Sequence, residues 1–547
     1  MKYLLAGILV AVAGLGLLFL GVFGNREGAS PRVENGFKET EAFSRDVDDL
    51  PEAQPTEMVA LKDGDTYEME MSAVKKKVGS QWVRMLAYNE SIPGPTLSIT
   101  EGAQVTIRIK NNLDIQTTLH SHGVRMDNGF DGVPDMTQAP IAPGETFAYQ
   151  LKFPDAGVYW YHPHVRTDYT IESGLYGNYI VTPTDANYWA PANREVTLML
   201  DDVALDDYGL LPFQKQIDHV LMGRFGDTML VNGGTDYTLT AKQGEVVRLY
   251  LTNAANTRVF NVMLPNVKMK LVGADVGKYE REEWVEEVLL GPGERRVVEV
   301  LFEKPGMYQV LHKTPGKQYV LGTVSVTSEM ADLLLAGTFS SVRTNEAVMT
   351  DAEILKRFID APVAKSLRLT LDMNGRMQHM MRQGGMMGGG HMMSDGTMMS
   401  GDAMGGMMGQ GDDGDAIEWE DTMSAMNQVS TPEMVQWKLE DTVTKKTNMD
   451  VNDWTFKKGD HIKIRIFNDP QSMHPMQHPI HFHGQRFMVL AVNGARNNNP
   501  VWQDTTLIPK GDTVDILLEA SNPGKWMAHC HIVEHAEGGM MMPFIVE

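Results

Sequence analysis

Ten of the sixteen histidines fall in four short motifs. These are His120-Ser121-His122-Gly123, His162-Pro163-His164, His478-Pro479-Ile480-His481-Phe482-His483-Gly484, and His529-Cys530-His531 followed by His535 and Met540. An H-x-H pair on a strand turns both imidazoles to one face, because successive side chains alternate. Two such pairs early in the chain and two late in it supply eight imidazoles, enough to enclose several metal ions if the two regions face each other. Cys530 lies between His529 and His531, so its thiolate points to the opposite face and serves a different metal. A few covalent bonds then join the two metal sites, which makes a short electron path. A thiolate, two imidazoles and a distant thioether are the ligand set of an electron-transfer copper. Cys530, His535 and Met540 are spaced five and five, and His478 arrives from another strand. A lone H-x-H is commonly a surface accident and a lone cysteine commonly a core residue. Four motifs sharing one arrangement leave neither explanation standing.

The elements that must hold these groups read as strands. One pattern occurs three times: a turn, alternating apolar residues, then Asn. It runs from Glu101 to Asn111, from Gln243 to Asn253 and from Lys458 to Asn468. Period-two alternation marks a half-buried strand. Each copy is followed by a turn at Pro143-Gly144-Glu145, Pro292-Gly293-Glu294 or Lys510-Gly511-Asp512. Each then has a glycine and an aromatic two residues on: Gly157 with Tyr159, Gly306 with Tyr308, Gly524 with Trp526. Short strands between Gly/Pro turns predict an all-β protein of three sandwich domains, at about 57–183, 184–345 and 365–547.

Length and charge agree. A chain of 547 residues exceeds one ordinary core. Acidic residues outnumber basic ones by 23, which argues against a nucleic-acid partner. The single cysteine excludes an intrachain disulfide framework. Residues 4–23 are uncharged and almost wholly apolar, which predicts a signal peptide or an uncleaved membrane anchor over 1–24 and an extracytoplasmic, periplasmic or cell-surface, protein. Residues 25–56 are polar and proline-containing and read as a disordered linker.

Methionine is abundant, at 39, and Met-Met pairs begin at Met380, Met386, Met392 and Met398, a strict six-residue step. The glycine density predicts a flexible loop rather than a helix, within an insertion at about 373–434. Thioether sulfur prefers Cu(I) and cannot cross-link in an oxidising compartment. The loop therefore reads as a Cu(I) collector; a Met-using linker or an oxidation sink is the plainer alternative.

From about residue 57 to the C-terminus, these motifs resemble the three-domain multicopper oxidases, which include laccases and bacterial cuprous oxidases. The resemblance implies three cupredoxin-like Greek-key β-sandwich domains and four copper ions per chain. A type 1 copper would take His478, Cys530, His535 and axial Met540. A type 2 copper would take His120 and His481. A type 3 pair would take His122, His162, His164, His483, His529 and His531. The middle domain lacks the motifs and would act as a spacer, with His312 structural. The resemblance also implies a proton relay at Asp131. A second acid sometimes follows the last type 1 histidine directly; that position is Ala536 here, with Glu537 next. Ser121 and Pro163 replace the residues often found between the ligands, without removing a ligand. Cuprous oxidases carry Met-rich insertions, and Met476 matches a methionine that binds substrate copper in them. The acidic partner of that methionine is His474 here.

The expected function is oxidation of a one-electron donor, with Cu(I) first, coupled to reduction of O2 to water. Electrons would arrive through the exposed edge of His478. Oxidation of phenols or other small organic reductants is the alternative, and copper sequestration a third reading.

Overall fold

The computed structural model describes residues 43–387 and 416–547. Apart from a two-stranded hairpin, Leu205–Asp206 with Gly209–Leu210, its strands form three pairs of sheets. The first pair is a five-stranded sheet running from Met58–Leu61 to His120–His122 and a four-stranded sheet running from Gln81–Tyr88 to Thr146–Lys152. The second has six strands from Thr228–Val231 to Gly277–Val285, and five from Tyr237–Gln243 to Glu287–Leu290. The third has six from Val435–Asp441 to Ala495–Arg496, and five from Thr455–Phe456 to Thr505–Ile508.

The threefold repeat is visible in the pairing. Gln104–Asn111, Glu245–Asn253 and His461–Asn468 each lie parallel to one partner (Thr66–Val78, Arg194–Val203, Lys365–Met373) and antiparallel to another (Thr146–Lys152, Arg295–Phe302, Thr513–Glu519). In Gln104–Asn111 the alternation holds: Val105, Ile107 and Ile109 are buried, and Gln104, Arg108 and Lys110 are exposed. Glu245–Asn253 is instead buried along its whole length. Its polar-face Arg248 is covered by Trp189, 5.3 Å away, and neutralised by Glu299 at 2.9 Å.

The repeated asparagine does the same work in each domain. Asn111 Nδ2 donates to the carbonyls of Ile115 and Ile141, Asn253 Nδ2 to those of Arg258 and Leu290, and Asn468 Nδ2 to those of Met476, Ile508 and Pro509. The following turn docks on the same residue, with Gly144, Gly293 and Gly511 each donating N–H to the carbonyl of Asn111, Asn253 and Asn468. The aromatic of each copy ties its strand to the residue four earlier. Tyr159 donates to Asp155 O, Tyr308 to Lys304 O and Trp526 to Asn522 O, all at 2.9 Å. This is the corner device of β-sandwiches, repeated three times.

Two sequence expectations are corrected. The methionine region begins as a helix, Gly375–Met387, not a loop. Residues 376–383 contain no glycine, Asn374 Oδ1 caps the helix by accepting from Met377 N at 2.9 Å, and Met377, Met380 and Met381 pack on the third core. Spacings of three and four put these three on one helical face. The expected linker is also docked from Phe43 onward. Phe43 meets Tyr169 edge-on at 4.8 Å, and Ala53 N–H donates to Lys75 O. Met392, Met398 and the apolar segment 4–23 lie outside the described residues. Among the described residues, no helix is long and apolar enough to cross a membrane.

Candidate metal centre

Strand register delivers the histidines. His120–His122 pairs antiparallel with Gly157–His162, setting His120 opposite His162. His478–Phe482 pairs with Gly524–Cys530, setting His481 opposite His529. The first and third domains then meet ring on ring. His120 stacks on His483 and His122 on His481, each at 3.9 Å between centroids. The ligand atoms converge in overlapping sets: His120, His122 and His481; His122, His162 and His531; His164, His483 and His529.

The outer ring nitrogens fix the tautomers. His120 Nδ1 lies 2.7 Å from Asp131 O, His162 Nδ1 2.6 Å from Pro163 O, His481 Nδ1 2.9 Å from Asp504 O and His529 Nδ1 2.8 Å from Cys530 O. A carbonyl only accepts, so each Nδ1 carries the proton and each Nε2 is left as a lone pair. Carboxylates do the same for His483, through Asp131 Oδ2 at 3.0 Å, and for His122, through Asp504 Oδ1 at 3.4 Å. The inner nitrogens nevertheless crowd together. His122 and His162 approach Nε2 to Nε2 at 2.9 Å, His483 and His529 at 3.0 Å, His122 and His531 at 3.1 Å. The Nε2 atoms of His120, His164 and His481 are buried with no hydrogen-bond partner. Lone pairs facing lone pairs without a donor suit cations and little else. Burial, followed by neighbouring imidazoles, holds His122, His162, His164, His483, His529 and His531 well below the ordinary histidine value. They therefore stay neutral and ready to ligate.

The second site lies on the opposite face of the His529–His531 stretch. Cys530 Sγ is 3.5 Å from His478 Nδ1, and His535 Nδ1 is 3.4 Å from that same nitrogen. Met540 is fully buried, and its loop is held by Cys530 N–H to Met540 O at 3.0 Å. Ile532 N–H points at the sulfur from 3.4 Å. Burial pushes the Cys530 thiol far up, so its thiolate forms only with a cation beside it. These donors fit copper. The expected exposed edge of His478 is a correction: the residue is 1% exposed. Gln477 beside it is bonded reciprocally to the Glu418 backbone, and Trp437 packs on both imidazoles, at 4.1 Å from His535 and 4.8 Å from His478.

Asp131 is buried between ligands, its Oδ2 bonded to His483 and its Oδ1 without a partner. Ser121 bonds Tyr179 OH at 3.0 Å, and Pro163 supplies the carbonyl that orients His162, so both atypical residues have local work. Glu537 is committed to Thr167, accepting from its N–H and hydroxyl. Glu534 is buried, accepts from Asn256 at 3.0 Å, and is pushed up to about 7 by burial. Met476 is fully buried, and His474 is half-buried with Nε2 unpartnered. His312 lies apart, stacked on Tyr319 with Nδ1 accepting from Asn261 N–H.

Sequence reasoning missed Asp504, Arg295, Asp275 and Trp437. Arg295 Nη1 donates to Asp504 Oδ1 at 2.8 Å, and Nη2 to Oδ2. Burial alone would raise Asp504; Arg295 and then His481 outweigh it and hold the carboxyl below its ordinary value. Burial raises Asp275, with the Asp504 charge adding to it against Arg295. The middle domain, expected to be a spacer, thus reaches the ligands. The available signal was charge in a strand built for burial, with Arg295, Arg296 and Glu299 set among Val297, Val298 and Val300.

Fold and site together define a copper-binding, three-sandwich oxidase. Three family signatures described as multicopper oxidase match residues 69–186, 208–328 and 420–547. The chain belongs to the multicopper oxidase family, an oxidoreductase class. It is 26% identical to multicopper oxidase mco of Staphylococcus aureus over 467 residues, covering 83% of this chain and 82% of that one. It is 26% identical to a laccase of Neurospora crassa, covering 88% and 77%, and 25% identical to copper resistance protein A of Escherichia coli, covering 84% and 89%. A multi-copper oxidase crystal structure from Pseudomonas thermotolerans matches with a TM-score of 0.63 at 25% identity, over 89% of this chain and all of that one.

Proposed function

We propose that this protein is an exported oxidase that draws single electrons from Cu(I) and delivers them to O2, with four coppers per chain and a role in copper tolerance. His478, Cys530, His535 and Met540 would hold the type 1 copper, His120 and His481 the type 2 copper, and His122, His162, His164, His483, His529 and His531 the type 3 pair. Bound there, copper supplies one-electron exchange at the thiolate set and reduction of O2 at the three-metal set. With copper on both sides, Cys530 would link the thiolate site to His529 and His531 through a few covalent bonds. Asp131, whose Oδ1 makes no hydrogen bond and lies 3.3 Å from His120 Nδ1 while Oδ2 meets His483, would relay protons to the reduced oxygen. The apolar segment 4–23 supports export or anchoring.

The observation that carries Cu(I) as donor is the surroundings of His478. Burial, and after it the His474 imidazole, holds His478 below the ordinary histidine value, and His474 Nε2 is buried without a hydrogen-bond partner. Met476 is fully buried two residues from His478. A soft thioether and an unengaged imidazole suit a soft monovalent cation, whereas an aromatic donor needs an open edge that the buried His478 does not offer. The laccase among the relatives keeps small phenols as the second reading. Oxygen uptake with Cu(I) and with a phenol, in the unaltered protein and in Met476→Leu, separates them. A sharp loss with Cu(I) alone is expected. Equal losses mean damage to the thiolate site, and unchanged Cu(I) kinetics leave the phenol reading ahead. Stoichiometric Cu(I) binding without turnover would favour sequestration.

A further inference from the structure

The middle domain holds no copper motif, yet its turn at Gly293–Arg295 reaches both halves of the histidine cluster. Gly293 has φ +82°, and a Cβ there would lie 2.9 Å from Cγ and Cδ2 of His531. Its Cα therefore rests against that ring. His531 lacks the orienting bond that most of its neighbours have: its Nδ1 is buried without a hydrogen-bond partner, whereas Nδ1 of His120, His122, His162, His481, His483 and His529 is bonded.

Two residues on, Arg295 ties three domains together. Its Nε donates to Val158 O at 2.9 Å, on the strand Gly157–His162 that carries His162. Its guanidinium grips both oxygens of Asp504 in the third domain. Asp504 in turn faces the Nδ1 atoms of His481, at 3.2 Å, and His122, at 3.4 Å. Asp275, also of the middle domain, completes the frame by accepting from Asp504 N–H at 3.1 Å and from Arg295 N–H at 2.8 Å. The turn itself is located by the repeated asparagine lock, through Gly293 N–H to Asn253 O.

We infer that Gly293 and Arg295 are positioning residues for the three-metal site: Gly293 sets the ring of His531 by contact, and Arg295 sets His481 and His122 through Asp504. The middle domain thereby makes assembly of the interdomain site depend on all three sandwiches being docked. Arg295 is suited to this because its planar fork binds a carboxylate at two points, which a lysine cannot do. At Gly293 any side chain meets the His531 ring and an unfavourable φ together.

The inference rests on the three-copper reading, and the experiment separates the two. Arg295→Met, Arg295→Lys, Gly293→Ala and, as control, Val324→Ala in the middle-domain core are loaded with copper. Copper per chain, blue absorption and the paramagnetic resonance of type 2 copper are then recorded. Arg295→Met and Gly293→Ala are expected to keep the blue colour while losing most of the type 2 signal and copper from the three-metal site. Arg295→Lys should fall between these and the unaltered protein, and Val324→Ala should retain full copper. If Arg295→Met does not accumulate, Arg295→Lys and Gly293→Ala decide. Full copper and an unchanged type 2 signal in those variants overturn the inference, as does equal copper loss in Val324→Ala. An unaltered protein that is blue but has no type 2 signal overturns the three-copper reading and this inference with it.

Discussion

Asn468→Ala separates what the fold needs from what the electron donor site needs. In each domain the repeated asparagine makes three buried contacts. Asn111 and Asn253 each donate to two carbonyls and accept one N–H, from Leu113 and Ala255. Asn468 directs its amide at the carbonyls of Met476, Ile508 and Pro509, at 2.6, 3.0 and 3.1 Å. At about 1 kcal/mol net per bond, truncation to alanine costs about 3 kcal/mol at Asn111 and Asn253 and about 2–3 kcal/mol at Asn468, whose two N–H groups are shared among three carbonyls. The three variants should therefore lower the thermal midpoint by similar amounts. Only Asn468 holds the loop that carries His474, Met476 and His478. Asn468→Ala alone should shift the blue absorption and raise the Cu(I) concentration needed for half-maximal oxygen uptake. Asn253→Ala, in the domain without ligand motifs, serves as the matched control. If Asn253→Ala perturbs the blue band as strongly as Asn468→Ala, the loop is not positioned by its asparagine and the reasoning fails.

Asp131→Asn should slow reoxidation by O2 in single turnover while reduction of the type 1 copper keeps its rate; an unchanged reoxidation rate places the proton source elsewhere. Substituting the methionine pairs should separate them. Met380→Ala should chiefly lower stability, by roughly 2 kcal/mol for a partly buried side chain, because Met380 packs on the core. Changes at Met386, Met392 and Met398 should weaken Cu(I) oxidation step by step, and a single essential pair would contradict this. The copper-free protein should lose stability as pH falls below 6.5, because the unfolded chain takes up protons that the buried histidines refuse. His474, pushed down to about 4, and His478, pushed down to about 3, each contribute stability that is complete above 6.5 and lost towards those values. The slope is about 1.4 kcal/mol per pH unit for each such histidine. Thermal midpoints of the copper-free protein that stay level from pH 7 to 5 would contradict the neutral-histidine account.

The ligand motifs were legible because strand periodicity alone decides which residues share a face. His529 and His531 on one side and Cys530 on the other follow from alternation, and so did the three sandwiches from their repeated turns. Features that depend on contact between domains were not legible. Arg295, Asp504 and Asp275 lie far apart in sequence, and their adjacency follows from docking. The burial of His478 has the same origin, since the Gln477–Glu418 pairing joins its loop to the far end of the methionine insertion. The helix Gly375–Met387 was missed for a local reason: glycine was averaged over a segment whose first turns contain almost none.

An oxidase that passes Cu(I) electrons to O2 four at a time is recognised by the ratio of Cu(I) oxidised to O2 consumed, measured with catalase added to reveal peroxide and Cys530→Ser as the blank. The expected result is four Cu(I) per O2, no oxygen returned by catalase, and uptake by Cys530→Ser no faster than buffer. Two Cu(I) per O2 with oxygen returned by catalase, or a Cys530→Ser variant as fast as the unaltered protein, would contradict it.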